Sequence, residues 1–290
     1  MKKIIILIPV FNDWESLKKL LKEINENIKY FKNIDFECLV INDASTIQQP
    51  KLIKPINFRY LKILNMKKNR GHARCNAFGL RYIYQKKEFD YLILMDADGE
   101  DRPVEIKGLI NKILDYPNNS VVAKRIQRSE GLFFKLLYQM HKLITYIFTG
   151  KKVNFGNYSC LKKKDVEILS SKASLWSSYS GTVKKNLKNL KEIDSIRGSR
   201  YFGPSQMSFL KLLIHSFAII AVFKYYVFLR STFMIIALVY LNIFIGNIFT
   251  FFQILIVLFN LIIFVISLRE RKDELVNSQN NLDQIKDIAH

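Results

Sequence analysis

Between Thr232 and Leu268 the chain carries no charged residue. As a single helix at ~1.5 Å per residue, that run would reach roughly 55 Å, against a hydrocarbon layer of ~30 Å. Two antiparallel crossings of about 18 residues each fit that thickness, turning near Gly246-Asn247. Lys224 and Arg230 precede the run, and Arg269, Arg271 and Lys272 follow it. Positive charge at both ends places both on the cytoplasmic side. The sequence thus predicts a multi-pass protein of the inner membrane. It has a transmembrane hairpin over 229–268, a juxtamembrane amphipathic helix over 209–228 and a polar cytoplasmic tail over 269–290, helical or disordered. Leu132 to Phe148 is also apolar at helical spacing and fits either the lipid interface or burial against the domain.

The formal charge of +20 admits an anionic membrane surface or nucleic acid as partner. The apolar run decides for membrane, and no nucleic acid is expected. Cys38, Cys75 and Cys160 are scattered, which argues against a disulfide framework or a zinc site. The opening MKKIIILIPVF has a short apolar stretch soon interrupted by Asn12, Asp13 and Glu15, so it reads as a buried strand and not as a signal peptide.

Ahead of the hairpin, short apolar runs alternate with helical patterns. Ile4–Val10, Phe36–Ile41, Tyr60–Leu64, Tyr91–Met95 and Ser120–Ala123 read as strands, and Trp14–Ile28, Ala73–Gln85 and Val104–Leu114 as helices between them. That order predicts an α/β domain over 1–208 with a mostly parallel sheet, whose ligands bind beyond the carboxyl ends of the strands.

At one such end stands FDYLILMDADGEDRPVE, which gathers Asp96, Asp98, Glu100 and Asp101 within six residues of a basic chain. Two carboxylates one residue apart hold a hard divalent cation and leave positions open for phosphate oxygens. An EF-hand loop needs glycine where Asp101 stands, and a haloacid-dehalogenase-type nucleophile motif needs a threonine that is absent. For phosphate recognition, Lys124, Arg125 and Arg128 follow a strand end, and Arg197 and Arg200 precede the membrane segment. Arginine suits a two-pronged grip on phosphate.

Four segments in order, IPVFND, VINDAS, NRGHARCNAFGL and MDADGEDRPVE, resemble the family 2 glycosyltransferases of the GT-A fold. The resemblance covers about Lys3 to Lys164. The hairpin extends it to the polyprenyl-phosphate glycosyltransferases, the branch that includes dolichyl-phosphate mannose synthase. It implies that Pro9, Phe11, Asp13 and Asp43 contact the base and ribose of a nucleotide-sugar donor, UDP before GDP. It implies that Asp96 and Asp98 hold Mg2+ or Mn2+ on the donor diphosphate. RGSRYFGPSQ resembles the family's Arg-x-x-Gly-x-Ser-Lys segment through Arg200, Gly203 and Ser205, with Gln206 in place of the lysine. Asn42 and Ala44 depart from the usual DDGS, and Gly99 to Pro103 from the usual Leu-Gln-Pro pattern.

The expected reaction is single-displacement, inverting transfer of a sugar to polyprenyl phosphate for cell-envelope glycan synthesis. Asp98, Asp101, Arg125 and Arg200 are the expected catalytic residues. Arg125, Arg128, Arg197, Arg200 and Ser205 are the expected contacts to acceptor phosphate. A sugar hydroxyl on a lipid-linked glycan is the alternative acceptor, and would need Asp101 or Glu100 as base. An inactive membrane-anchored assembly protein is the alternative of another class. A homo-oligomer is compatible with all three. His72, in a glycine-containing loop within reach of the diphosphate, reads first as a surface or helix-start residue, His141 and His215 read as structural, GNYSCLKK resembles the family strand near the acceptor, and Trp176 reads as packing before lining that site.

Overall fold

The computed structural model describes residues 1–127, 132–203 and 208–289. The first half runs β1 (Lys2–Val10), α1 (Trp14–Ile28), β2 (Ile34–Asn42), β3 (Tyr60–Met66), α2 (His72–Lys86), β4 (Tyr91–Leu94), α3 (Ile106–Asp115) and β5 (Val121–Gln127). Then come α4 (Leu132–Thr149), β6 (Phe155–Lys162), α5 (Lys163–Ser170), α6 (Tyr179–Asn186) and β7 (Lys191–Ile196). The chain closes with α7 (Phe209–Ala221), α8 (Lys224–Ile245), α9 (Thr250–Ser267), α10 (Lys272–Val276) and β8 (Leu282–Asp287).

β1 is buried from Ile4 to Val10 because it lies mid-sheet, and a strand covered on both faces needs an unbroken apolar run. Its alternate side chains divide between two cores. Ile4, Ile6 and Ile8 pack with Leu17, Leu20 and Ile24 of α1 and Leu109 and Ile113 of α3, whereas Ile5 and Leu7 pack with Phe78 and Ile83 of α2. Each such buried Ile or Leu stabilises by about 1.5–3 kcal/mol. Pro103 opens the short 3-10 turn before α3, where its missing N–H costs nothing.

The sheet order is β7-β5-β6-β4-β1-β2-β3-β8. β1 pairs in parallel with β2 and β4, β2 with β3, and β5 with β7. β6 runs antiparallel to β4 and β5, and β8 antiparallel to β3. The sheet is therefore mixed, with four parallel pairings and three antiparallel ones, in keeping with the expected mostly parallel α/β fold. β6 follows α4, which packs with α7 and α8, and enters antiparallel between β4 and β5.

α8 and α9 pack together and turn over Gly246–Phe249, where the sequence places the turn. Both are long and apolar enough to cross a membrane, and most of their large apolar side chains, such as Phe233, Ile236, Phe251 and Leu258, face outward. The helix expected over 209–228 is broken at Val222-Phe223 into α7 and the first turn of α8. The segment after Arg269 comes back to the sheet: β8 pairs Ile63 with Lys286 and Leu64 with Ile285, and Lys62 Nζ meets Asp287 Oδ1 at 2.9 Å.

Candidate active site

The carboxyl ends of β1, β2, β3 and β4 meet at one edge, and the loops leaving them carry the polar groups. Asn12 adopts φ +56° after β1. Its Oδ1 accepts from Thr46 N at 2.8 Å and Ile47 N at 3.1 Å, and its own N–H donates to Ser45 Oγ at 2.9 Å. This stitches the β1 and β2 loops together. Asp43, buried just past β2, accepts from Arg70 N at 2.9 Å and Gly71 N at 2.8 Å, so it holds the loop that opens α2. Pro9 lies buried within β1, and Phe11 is half exposed just beyond it.

Past β4 the acidic loop is wound tightly. Asp96 N–H donates to Asp101 Oδ2 at 3.0 Å, and Glu100 N–H to Asp98 Oδ1 at 3.0 Å. Gly99 turns at φ +87°, and a Cβ there would stand 2.5 Å from the Tyr201 ring, so only glycine fits. The segment after β7 lies over this loop. Gly198 N–H donates to the Glu100 carbonyl and Tyr201 N–H to the Asp98 carbonyl, both at 2.9 Å. Tyr201 Oη donates to Glu23 Oε2 of α1 at 2.6 Å. The base of the segment is fixed where Glu105 accepts from Ser195 Oγ and Ile196 N.

The arginines expected to meet phosphate are brought to the acids. Arg200 bridges two loops, with Nη1 2.8 Å from Asp98 Oδ2 and Nη2 2.6 Å from Asp13 Oδ2. Arg197 pairs with Glu100. Arg125 Nη2 lies 3.9 Å from Asp101 Oδ1, against Gly156, where a Cβ would approach that nitrogen to 2.5 Å. Lys124 is drawn off to Glu192 at 3.6 Å on the outer strand pair. Arg128 and Ser205 lie outside the described residues.

Two residues left out of the expected site complete it. His72 Nε2 stands 3.2 Å from Asp96 Oδ1, and Asn157 Nδ2 donates to the same oxygen at 3.2 Å and lies 2.7 Å from His72 Nε2. His72 sits beside a glycine in NRGHARCNAFGL, and Asn157 inside GNYSCLKK, so both motifs carried the signal without the contact. Trp176 is buried and donates to Glu274 Oε2 at 2.9 Å, which fits a packing role.

The charges are unevenly shared. Burial alone would raise Asp96, but His72 first, then Asn157 and Arg125, hold its carboxyl well below the usual range. Burial, then Asp96 and Glu100, push Asp98 up to about 6. Burial, then Asp96, push Asp101 up to about 8. Burial would lower His72, and Asp96 outweighs it and raises its pKa. Burial and the neighbouring carboxylates thus disfavour the charged forms of Asp98 and Asp101, an environment that a hard cation relieves. Asp96 and Asp98 offer oxygen donors of the right kind, and the Arg200 guanidinium already sits as a cation on Asp98. Among the described residues no three His, Cys, Asp or Glu side chains converge on one metal position. Asp101 is ill placed as a base, being buried and turned toward Asp96 N–H and Arg125.

Known proteins share this fold and sequence. The mannosyl-3-phosphoglycerate synthase of Rubrobacter xylanophilus superposes with a TM-score of 0.53 at 13% identity, over 76% of this chain and 72% of that one. The glucosyl-3-phosphoglycerate synthase of Mycobacterium tuberculosis, solved with Mn2+, UDP-glucose and phosphoglyceric acid, gives 0.52 at 13% identity, over 78% of this chain and 80% of that one. In sequence, the undecaprenyl-phosphate 4-deoxy-4-formamido-L-arabinose transferase of Photorhabdus laumondii is 25% identical over 221 residues, 73% of this chain and 65% of its own length. The chain spans just under two thirds of the length of such curated relatives. The description "Glycosyl transferase family 2" matches residues 5–174, more than half of the chain. The chain is an α/β enzyme of the GT-A fold and belongs to glycosyl transferase family 2.

Proposed function

We propose that this enzyme moves a sugar from a nucleotide diphosphate donor, UDP before GDP, to a polyprenyl phosphate at the cytoplasmic face of the inner membrane, with inversion at the anomeric carbon. The observation that carries the reading is the Arg200 guanidinium held between Asp13 and Asp98, on the segment after β7 that lies over the acidic loop and precedes the apolar helices in sequence. Residues 1–208 act as the catalytic domain and α8 and α9 as its anchor, with the following segment docked on the sheet edge. The arabinose transferases among its relatives carry undecaprenyl phosphate in their names, and the M. tuberculosis synthase was solved with Mn2+ and a UDP-sugar.

In this reading Asp96 and Asp98 hold Mg2+ or Mn2+, which supplies positive charge to the departing diphosphate. Phe11 offers its exposed face to the base and Asp13 its carboxylate to the ribose, while Asp43 keeps the loop before α2 in place. His72 and Asn157 orient Asp96. A phosphate acceptor is already ionised near neutral pH, so it needs positioning more than deprotonation. Arg125, Arg197 and Arg200 supply that grip by exchanging carboxylate partners for phosphate oxygens. Arg128 and Ser205 extend the same site.

The test incubates membrane-extracted protein with undecaprenyl phosphate, Mg2+ or Mn2+ and a panel of UDP- and GDP-sugars, and follows nucleotide diphosphate release. Release that requires acceptor and metal, and is lost in Asp98→Asn, is the expected result. Donor turnover that ignores polyprenyl phosphate but responds to a glycosylated lipid overturns it.

A further inference from the structure

Three arginines, Arg70, Arg269 and Arg271, gather around Arg74 near where α9 ends. Arg269 and Arg271 follow the last apolar residue, Leu268, and Arg70 and Arg74 flank the start of α2. The two pairs meet around Trp176. The Arg74 guanidinium lies 5.7 Å from the Trp176 ring centroid, and its Nη1 donates to the Arg70 carbonyl at 3.0 Å. Glu274 accepts from Trp176 Nε1 at 2.9 Å through one oxygen and from Arg271 Nη1 at 2.5 Å through the other. Both of its oxygens are thereby occupied. Arg74 and Arg269 each keep a buried Nε without a hydrogen-bond partner among the described residues, and no carboxylate there pairs with Arg70, Arg74 or Arg269. Burial and then Arg269 lower the Arg74 pKa from its ordinary value, against the pull of Glu274.

Like charges so gathered and partly desolvated are unfavourable until an anion joins them. The guanidinium fork matches phosphate oxygens, and the level just beyond an apolar helix end is where lipid phosphates lie. We propose that Arg70, Arg74, Arg269 and Arg271 bind the phosphate headgroup of an anionic phospholipid. Trp176 beside the cluster and Tyr201 beside Arg200 stand against different cores, on the α2 face and the α1 face of the sheet. The inference rests on the reading of α8 and α9 as membrane-spanning.

The test uses the full chain in a neutral detergent and counts bound lipid by native mass spectrometry, with dioleoylphosphatidylglycerol or dioleoylphosphatidylcholine added. Phosphatidylglycerol is expected to bind in preference, and Arg74→Gln/Arg269→Gln to bind it roughly tenfold or more weakly, since each surface arginine adds appreciably to anionic-lipid attraction. Arg59→Gln, which breaks an exposed pair with Asp35 on β2, is expected to leave lipid binding unchanged. Equal binding of the two lipids by the unmodified protein overturns the site without reference to any variant. Displacement of the lipid by equimolar inorganic phosphate overturns it in favour of a soluble anion. Flotation with phosphatidylcholine vesicles separates the two levels: protein that floats but shows no lipid preference lacks the site alone, and protein that does not float lacks the membrane anchor beneath it.

Discussion

The two rims of the site are built from different bonds. On the rim formed by the β1 and β2 loops and the loop into α2, Asn12 and Asp43 use their side-chain oxygens on backbone N–H groups of the chain itself. On the rim formed by the segment after β7 and the end of β5, Arg200, Arg197 and Arg125 face Asp98, Asp13, Glu100 and Asp101. A ligand has nothing to replace on the first rim without unfolding a loop. On the second, a phosphate can take a carboxylate's place and a metal can take a guanidinium's. In the proposed function, one rim fixes position and the other exchanges charge.

Asp98→Asn is the strongest attempt to break this contrast. Nucleotide diphosphate release is expected to fall by about 10²–10³-fold, the loss typical for one removed electrostatic contact in a site. The unfolding midpoint in urea should shift less than in Asp43→Asn, because the amide oxygen still accepts the Glu100 N–H and the Arg200 side chain, displaced by the amide NH2, keeps Asp13 as a partner. A large loss of stability instead would make Asp98 scaffold.

Arg200→Ala is next, with kcat/KM for the acceptor expected to drop by roughly 10²-fold. Arg200→Lys should recover only part of it, since a point charge cannot fork between Asp13 and Asp98. Full recovery by lysine in steady-state assays would show that charge alone is needed.

Asp43→Asn probes the other rim. The amide presents an NH2 group to one of two buried backbone donors, which should cost about 1–3 kcal/mol of stability by chemical denaturation. A variant as stable as the parent but unable to bind donor would place Asp43 among the exchanging groups.

A pH-dependent test concerns Asp101. Its carboxyl titrates at about 8 in the folded chain, against ~4 for an ordinary aspartate. The folded state therefore holds a proton that the unfolded chain has released, and stability falls as pH rises through that window. In metal-free buffer the thermal midpoint of the parent should drop between pH 5 and pH 8, and that of Asp101→Asn should drop less. Identical slopes would remove Asp101 as the source.

Much of this molecule is legible in local pattern. The five predicted strands end within a few residues of β1 to β5, and the predicted helices match α1, α2 and α3. The hairpin turn stands where the uncharged run places it, between Gly246 and Phe249. Local pattern did not show β7 or β8. Lys191–Ile196 and Leu282–Asp287 are outer strands with few buried residues, so little hydrophobic alternation marks them. Nor did it show that Asp43 holds a loop or that His72 reaches Asp96.

What the sequence determined by itself was the alternation of strand and helix, the apolar hairpin and the gathering of acids after β4. Each depends on neighbours a few residues apart, through the hydrophobic period and the placement of charge. Tertiary structure alone decided which arginine meets which acid. Arg200 and Asp13 are 187 positions apart, and Tyr201 and Glu23 are 178. With 45 Lys and Arg residues and 25 acids in the chain, sequence offers many pairings of equal chemistry. Only the stacking of loops at one sheet edge brings particular groups within hydrogen-bond reach and makes the others surface charge.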